Sequence, residues 1–287
     1  MQIEFLKMLE GIRTDFLNGL FELITMLGEE TLLIVLIVVL WFAVNKDFAQ
    51  KLFFVSMLSL GFNCVIKNIA KVPRPFASGE VSCVRQETAT GYSFPSGHTQ
   101  SFSAWSTAVA VKLKKVCGYL LVGLLIALVG FSRMYLGVHY PTDVIVGAIL
   151  GITLAIIGGI IYDKTENKKK LYLALILAFA PFFIIFMFGA DAQFKNFYKF
   201  YGMLGGLLLA VMLEEKVAPI TYDVAWWKKA IRVVLGIALA YAVKESLKLL
   251  YFWDILQVTF VFDAIRYFAL VFIVGGICPI LFKKLKI

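Results

Sequence analysis

The two histidines of the chain, His98 and His139, each stand in a short polar segment next to an apolar run. His98 follows Ser96 and Gly97 in the sequence Phe-Pro-Ser-Gly-His, at a predicted helix start. Serine favours the N-cap position, glycine lets the backbone approach a ligand closely, and free amides at a helix start attract anions such as phosphate. An ordinary capped helix would explain the serine. A histidine at the end of a membrane span, however, is costly unless it has a function.

The other polar segments supply a carboxylate and three cations. His139 and Asp143 are four residues apart, so helical geometry lets the carboxylate reach the imidazole. Arg133 precedes them, and Lys67 and Arg74 stand at the end of an earlier apolar run. A lysine there can simply extend its amine to the membrane surface. A cation close to the hydrocarbon costs about 2.5 kcal/mol or more unless it is paired, and an anionic substrate would supply the pairing.

The composition indicates what kind of protein, soluble or membrane-embedded, positions these groups. The 287 residues are 61% hydrophobic and 16% charged, and the mean hydropathy is +0.85. Soluble domains are nearer ~45–50% apolar and ~25% charged, so the composition predicts a membrane protein. The net charge of +9 comes from lysines at the ends of apolar runs, which indicates membrane flanks and no nucleic-acid partner. The four cysteines have no metal-site spacing.

Apolar runs divide the chain into about nine predicted spans. They fall near residues 29–45, 50–70, 98–113, 117–136, 142–162, 171–190, 200–213, 231–250 and 263–282. Before them, Met1–Gly28 has apolar residues at helical spacing, which predicts an amphipathic helix in the plane of the membrane surface. The lysines cluster in alternate loops and in the tail, so the positive-inside rule places those loops and the C-terminus in the cytoplasm. The N-terminus and all three polar segments then lie on the outer side.

Together the three segments resemble the signature motifs of the type 2 phosphatidic acid phosphatase (PAP2) superfamily. The motifs are Lys67-x6-Arg74-Pro75, Pro95-Ser96-Gly97-His98 and Ser132-Arg133-x5-His139-x3-Asp143. The resemblance implies an all-α, polytopic membrane helix bundle. Its parts would be the in-plane segment 1–28, a PAP2-type catalytic core at 29–165, and a C-terminal extension of about four spans at 166–287. The nine-span layout is also similar to that of glucose-6-phosphatase in the same superfamily.

The resemblance also implies a role for each motif residue. His139 would be the nucleophile that attacks phosphorus, Asp143 would orient and stabilise its imidazole, and His98 would protonate the departing oxygen. The non-bridging phosphate oxygens would be held by Lys67, Arg74, Ser96, the Gly97 amide and Arg133. Such a mechanism needs no metal ion or other cofactor. The sequence agrees, because the only other carboxylates near the motifs, Glu80 and Glu87, are loop residues.

The implied activity is hydrolysis of a lipid phosphate or diphosphate through a phosphohistidine, with undecaprenyl diphosphate in a bacterial cell membrane as the first candidate. Phosphatidylglycerophosphate, phosphatidate, a sphingoid phosphate and a sugar phosphate stay open as substrates. A transporter or scramblase for phosphate headgroups would instead predict polar residues at the middle of several spans, and the core spans are apolar there. Lys244, Glu245 and Lys248 in one late run fit either a surface charge pair or a headgroup pocket. The oligomeric state stays open.

Overall fold

The computed structural model of the protein describes residues 1–86, 89–189, 194–247 and 256–287. Within these ranges the chain forms helices joined by turns and loops, with no strand, so the predicted all-α class is confirmed. The helices are α1 (Gln2–Gly11), α2 (Asp15–Met26), α3 (Glu30–Val39), α4 (Lys46–Ala70), α5 (Gly97–Leu113), α6 (Val116–Tyr135), α7 (Pro141–Lys164), α8 (Lys168–Met187), α9 (Lys195–Val217), α10 (Trp226–Ser246), α11 (Leu256–Phe272) and α12 (Cys278–Leu285). Two π-helical segments, Leu40–Val44 and Ile273–Ile277, extend α3 and join α11 to α12.

Six stretches of the described chain are long and apolar enough to cross a membrane. They are Lys46–Ser78, Val116–Tyr135, Pro141–Lys164, Lys168–Met187, Lys195–Val217 and Val258–Leu285. A seventh arises if α2 and the helix Glu30–Val44, which meet at a bend of 43°, form one broken span. The count is lower than the nine spans predicted. The helix α5 has 17 residues, which is short for a hydrocarbon core, and α10 begins with the charged sequence Trp-Trp-Lys-Lys.

The N-terminal 28 residues form two helices where the sequence predicted one. Thr14 starts α2, because its side chain accepts a hydrogen bond from the amide of Leu17 at 3.3 Å. The predicted apolar stripe is therefore interrupted, and Phe16 is 78% exposed. On α1, Leu6 and Leu9 are buried against Val81 of the loop after α4. The in-plane orientation of this segment stays a prediction.

The described chain divides into two compact units. One comprises Met1–Leu33 and Leu58–Ile161, and the other comprises Ile34–Met57 and Tyr162–Ile287. All motif residues lie in the first unit. The predicted division at residues 28 and 165 stays a prediction.

Close packing in the first unit brings α7 against α5. A Cβ atom added at Gly151 would lie 2.4 Å from the Gln100 carbonyl oxygen, and one at Gly147 would lie 2.8 Å from that of Ser96. Real Cβ atoms do not approach backbone this closely, so only glycine fits at either position. The spacing of four residues puts both glycines on one face of α7. This contact fixes α7, which carries Asp143, against the start of α5, which carries His98.

In the second unit, α9 packs on α11 through glycines, and an ion pair with a partly exposed lysine joins α4 to α9. An added Cβ at Gly202 would lie 2.0 Å from the Ala264 carbonyl oxygen. Lys46 Nζ lies 2.7 Å from Glu214 Oε2, and the Glu214 side chain is fully buried. Lys244 and Glu245 on α10 are half-buried, and Lys248 lies outside the described residues. The choice between a surface pair and a headgroup pocket therefore stays open.

Candidate active site

The loop before α7 and the first turn of α7 hold an imidazole against a carboxylate. His139 Nδ1 lies 3.2 Å from Asp143 Oδ2, and both side chains are 1% exposed. The same oxygen accepts hydrogen bonds from the Tyr140 amide at 2.8 Å and the Ser93 hydroxyl at 2.5 Å. Three donors thus converge on one carboxylate oxygen, which stabilises its charged form. The carboxylate favours the tautomer with the proton on Nδ1, and the lone pair of His139 is then on Nε2.

Arg74 lies at this second nitrogen. Its Nη1 is 3.2 Å from His139 Nε2 and donates to the Val138 carbonyl at 2.9 Å. Its other nitrogens donate to the carbonyls of Gly91 and Thr90 at 2.8 and 2.7 Å. The guanidinium is therefore fixed between two loops, with one N–H directed at the ring of His139, which the family resemblance predicts to be the nucleophile.

Lys67 contacts the loop that contains Ser93. Its amine donates to the carbonyls of Tyr92 and Ser93 at 2.6 and 3.1 Å. The Ser93 amide in turn donates to the Val72 carbonyl at 2.8 Å. The loop between α4 and α5 is thus folded back on the end of α4, and the fold brings the first motif to Ser93 and the Asp143 carboxylate.

The second motif begins α5. The Ser96 amide donates to the Asp143 carbonyl at 3.0 Å. Its hydroxyl lies 2.9 Å from that of Thr99 rather than capping the helix, so the sequence correctly located the N-cap residue but not the contact of its side chain. Gly97 lies near Lys67, since an added Cβ would be 3.9 Å from Lys67 Cε.

His98 packs against Gly28, which lies in the N-terminal part of the chain. A Cβ added at Gly28, in the turn between α2 and α3, would lie 2.9 Å from both the Cβ and the carbonyl oxygen of His98. The Nε2 atom of His98 is buried and has no hydrogen-bond partner within the described ranges. A ring nitrogen without a partner can exchange a proton with a bound substrate.

A network of buried side-chain amides joins α4 to the start of α5 and to the loop before it. The Asn63 side-chain amide donates to Gln100 Oε1 at 2.8 Å and to the Pro95 carbonyl at 3.3 Å. Gln100 donates to the carbonyl of Ser59 at 2.9 Å. All three side chains are at most 5% exposed. Satisfied polar groups at this depth hold the loop rigid.

Arg133 is fully buried near the end of α6. Its Nη1 donates to the Thr25 hydroxyl at 2.8 Å. Neither Nε nor Nη2 has a partner among the residues that the structure describes. Its backbone carbonyl accepts from the Val138 amide at 3.2 Å, which places it beside the His139 loop. A buried cation with two unsatisfied nitrogens is costly unless an anion binds there.

The surroundings of His139 keep its imidazole neutral. Burial lowers the pKa of His139 well below its usual range, and the charges of Arg74 and Lys67 lower that pKa further. A neutral imidazole has the lone pair that a nucleophile requires. In the described part of the chain, no group of three or more His, Cys, Asp and Glu side chains is arranged to hold a metal ion.

The structure brings residues of the three motifs into contact with one another or with shared loop residues, and it adds partners that the sequence did not reveal. Ser93 is one residue before the Phe-Pro-Ser-Gly-His sequence, and its type alone does not distinguish it from other loop serines. Thr25 is 108 positions from Arg133, and no local pattern could pair them. The amides of Asn63 and Gln100 in apolar helices were a usable signal, because buried amides need partners.

Comparison with known proteins identifies the family. The sequence profile of the PAP2 superfamily matches residues 48–167, and that of the PAP2 superfamily phosphatase transmembrane extension matches residues 198–287. A phosphatidylglycerophosphatase B from Bacillus subtilis is 32% identical over 159 residues, which are 50% of this chain and 74% of that protein. The chain belongs to the PAP2 superfamily.

Other PAP2 relatives agree with this assignment. An undecaprenyl-diphosphatase from Sulfolobus acidocaldarius is 29% identical over 169 residues, which are 58% of this chain and 81% of that protein. The crystal structure of a PAP2-type phosphatidylglycerolphosphate phosphatase from Bacillus subtilis matches with a TM-score of 0.50 at 28% identity, covering 57% of this chain and 86% of that one. A glucose-6-phosphatase catalytic subunit from Haplochromis nubilus is 25% identical over 207 residues, 61% of this chain and 59% of that protein. The protein is therefore a multi-pass membrane phosphatase of the PAP2 superfamily, as its motifs predicted.

Proposed function

We propose that this phosphatase hydrolyses a lipid diphosphate of the polyprenyl type, such as undecaprenyl diphosphate, through a phosphohistidine on His139. The observation that carries the proposal is the geometry of one imidazole. Asp143 Oδ2 lies 3.2 Å from His139 Nδ1, and Arg74 Nη1 lies 3.2 Å from His139 Nε2. The nucleophilic nitrogen and a cation that can bind phosphate thus lie next to each other.

In the first half of the reaction, His139 Nε2 bonds to the terminal phosphorus while the bond from phosphorus to the leaving oxygen breaks. Arg74 turns its N–H from Nε2 to a non-bridging oxygen of the bound phosphate. His98 takes up a proton as the anionic substrate binds and gives it to the leaving oxygen; its buried Nε2 has no partner among the described residues and is free to make this contact. The imidazole becomes a cation as it is phosphorylated, and the Asp143 carboxylate stabilises that charge.

In the second half, a water oxygen attacks phosphorus and the bond to Nε2 breaks. His98 takes the proton from this water, so it is again protonated for the next turnover. The products are orthophosphate and the lipid phosphate. Lys67 and Arg133 hold the equatorial oxygens, together with Ser96 and the Gly97 amide. Positioned cations are the main resource of phosphoryl transfer, in which negative charge spreads over those oxygens.

A lipid substrate is supported by the membrane-embedded fold and by the relatives. The undecaprenyl-diphosphatase from Sulfolobus acidocaldarius matches over 81% of its length, which favours a polyprenyl diphosphate. Phosphatidylglycerophosphate is the second candidate, because the Bacillus subtilis relative named for it is the more identical of the two. We place the site on the extracytoplasmic side of a cell membrane and the C-terminus in the cytoplasm, since the lysine-rich ends of α5 and α7 are opposite to the motif residues.

Phosphate release from the purified protein in detergent tests the substrate class. The substrates are a polyprenyl diphosphate, phosphatidylglycerophosphate, phosphatidate and glucose 6-phosphate, each with and without EDTA. The proposal predicts the highest kcat/KM for the diphosphate and no loss in EDTA. Preference for glucose 6-phosphate would contradict a lipid substrate, and loss of activity in EDTA would contradict the metal-free reaction.

The His139→Ala variant tests the nucleophile. The variant should release no phosphate. In a second measurement, the wild-type protein turns over substrate labelled in the terminal phosphate and is quenched during the reaction. It should then carry an acid-labile, base-stable label. Normal turnover by the variant would refute the role of His139.

The side of the membrane can be tested separately in a cysteine-free background. A membrane-impermeant thiol reagent should label Ala77→Cys from outside intact cells and Lys114→Cys only after lysis. The reverse pattern would place the site in the cytoplasm.

A further inference from the structure

The end of α2 and the turn between α2 and α3 contact two of the motif residues, although both lie outside residues 48–167, where the family profile matches. Thr25 near the end of α2 is fully buried and accepts the hydrogen bond of Arg133 at 2.8 Å. Gly28 lies against the backbone and Cβ of His98. Glu29 then forms an ion pair with Arg85 at 2.9 Å.

Helix α2 is fixed on α6 independently of these contacts. The Phe21 ring lies 4.3 Å from that of Tyr135 and 5.4 Å from that of Phe131, measured between centroids. Arg13, just before α2, donates to the Tyr135 carbonyl at 2.9 Å and to the Ser82 hydroxyl at 2.8 Å. The position of Thr25 is therefore set by aromatic packing and hydrogen bonds on both sides.

The contact with Thr25 selects which edge of the Arg133 guanidinium stays available. Arg133 Nη1 donates to the Thr25 hydroxyl, and the two nitrogens without partners among the described residues are Nε and Nη2. Those two nitrogens form one edge of the planar group, and their N–H bonds are parallel. Such an edge binds two oxygens of a phosphate at once. Because the guanidinium can turn about the Cδ–Nε bond, a fixed partner on Nη1 helps to keep this edge directed at the anion.

We infer that the end of α2 and the α2–α3 turn are part of the active site, where Thr25 is a positioning residue for the phosphate-binding edge of Arg133 and Gly28 leaves the space in which His98 sits. This inference rests on the proposed roles of Arg133 and His98. It assigns to the N-terminal helices a function in the reaction.

The variants Thr25→Val and Thr25→Ser test the positioning role. Valine keeps the shape and removes the hydroxyl, whereas serine keeps the hydroxyl. Loss of a hydrogen bond to a charged group predicts that Thr25→Val lowers kcat/KM for a polyprenyl diphosphate by about tenfold. It should also raise the inhibition constant for inorganic phosphate. Thr25→Ser should stay within about twofold of wild type. The matched control is Thr31→Val, an exposed threonine on α3, which should change neither constant.

A double-mutant cycle separates this inference from the proposed function. If Thr25 acts through Arg133, Thr25→Val should have no further effect in an Arg133→Ala background. Equal losses in both backgrounds would overturn the inference, as would an unchanged kcat/KM in Thr25→Val alone. Normal turnover by Arg133→Ala would instead contradict the phosphate-binding role of Arg133 in the proposed function.

Gly28→Ala gives an independent measurement if Thr25→Val fails to fold. The added methyl group would lie 2.9 Å from the Cβ and the carbonyl oxygen of His98, so the spacing between the turn and His98 must change. A displaced general acid should slow hydrolysis of phosphatidate, which has a poor leaving group, more than hydrolysis of p-nitrophenyl phosphate, which needs no protonation. Equal effects on both substrates would overturn the assignment of Gly28.

Discussion

Asp143→Asn should slow formation of the phosphoryl-enzyme by about three orders of magnitude while the fold persists. Asparagine has the same shape, and its amide oxygen can still accept from Ser93, Tyr140 and His139, which all bond to Oδ2 in the wild type. The substitution therefore removes the negative charge and keeps the acceptor. The geometry of the loop should survive.

The magnitude follows from one distance. In the transition state His139 becomes cationic, 3.2 Å from Asp143 Oδ2. Two unit charges at that distance attract by about 5 kcal/mol at an effective dielectric constant of ~20, and by about half that if the bound phosphate and water screen them further. Each ~1.4 kcal/mol is a factor of ten in rate, so the expected loss in kcat is between about 10² and 10⁴.

The assay is single-turnover phosphate release with the purified variant, together with a thermal melt. Ser93→Ala is the comparison variant, because it removes a hydrogen bond to the same oxygen but keeps the charge. Its loss should be about tenfold. A folded Asp143→Asn protein within threefold of the wild-type rate would refute the reasoning, and so would a larger loss in Ser93→Ala.

Three further outcomes follow from other parts of the structure. Since burial and neighbouring cations lower the pKa of His139, the neutral nucleophile persists on acidification, and the acidic limb of the kcat/KM profile should lie below pH ~6.5. Gly151→Ala should destabilise the protein by about 1–3 kcal/mol and lower activity, because its methyl group meets backbone of α5 at 2.4 Å; a thermal melt measures the change. Glu214→Ala should cost about 1–3 kcal/mol, because it removes the fully buried carboxylate that pairs with Lys46 and accepts from the Ile220 amide; denaturant unfolding in detergent measures the change.

Each of these has a control or an outcome that contradicts it. An acidic limb at or above pH ~6.5, after correction for substrate ionisation, would mean that His139 is not held neutral. Gly123→Ala is the control for the α7 glycine, since nothing lies within 4 Å of a Cβ added there; equal effects would contradict the close-packing argument. Glu215→Ala is the control for Glu214, because its pair with Lys169 is 43% exposed on both sides and should contribute at most about 1 kcal/mol.

The sequence by itself determined the membrane class and the family, and it predicted the residues of the candidate site. Those features depend on composition and on short spacings, which are local properties. An imidazole four residues before a carboxylate can be paired on helical geometry alone, and the structure shows that contact between His139 and Asp143. Within the described ranges the helices likewise lie where the apolar runs predicted them, although fewer than nine of these helices have the length and apolarity of a span.

Only the tertiary structure decided which partners those residues have. The Thr25–Arg133 and Ser93–Asp143 contacts join positions 108 and 50 residues apart, and the packing of whole helices brings them together. The break at Thr14 depends on a cap that competes with a continuous apolar stripe, and a periodic pattern does not reveal which of the two prevails. Glycines such as Gly151 are ordinary in an apolar helix until a second backbone is known to lie against them. Contacts of this kind depend on the relative placement of helices, which local spacing does not encode.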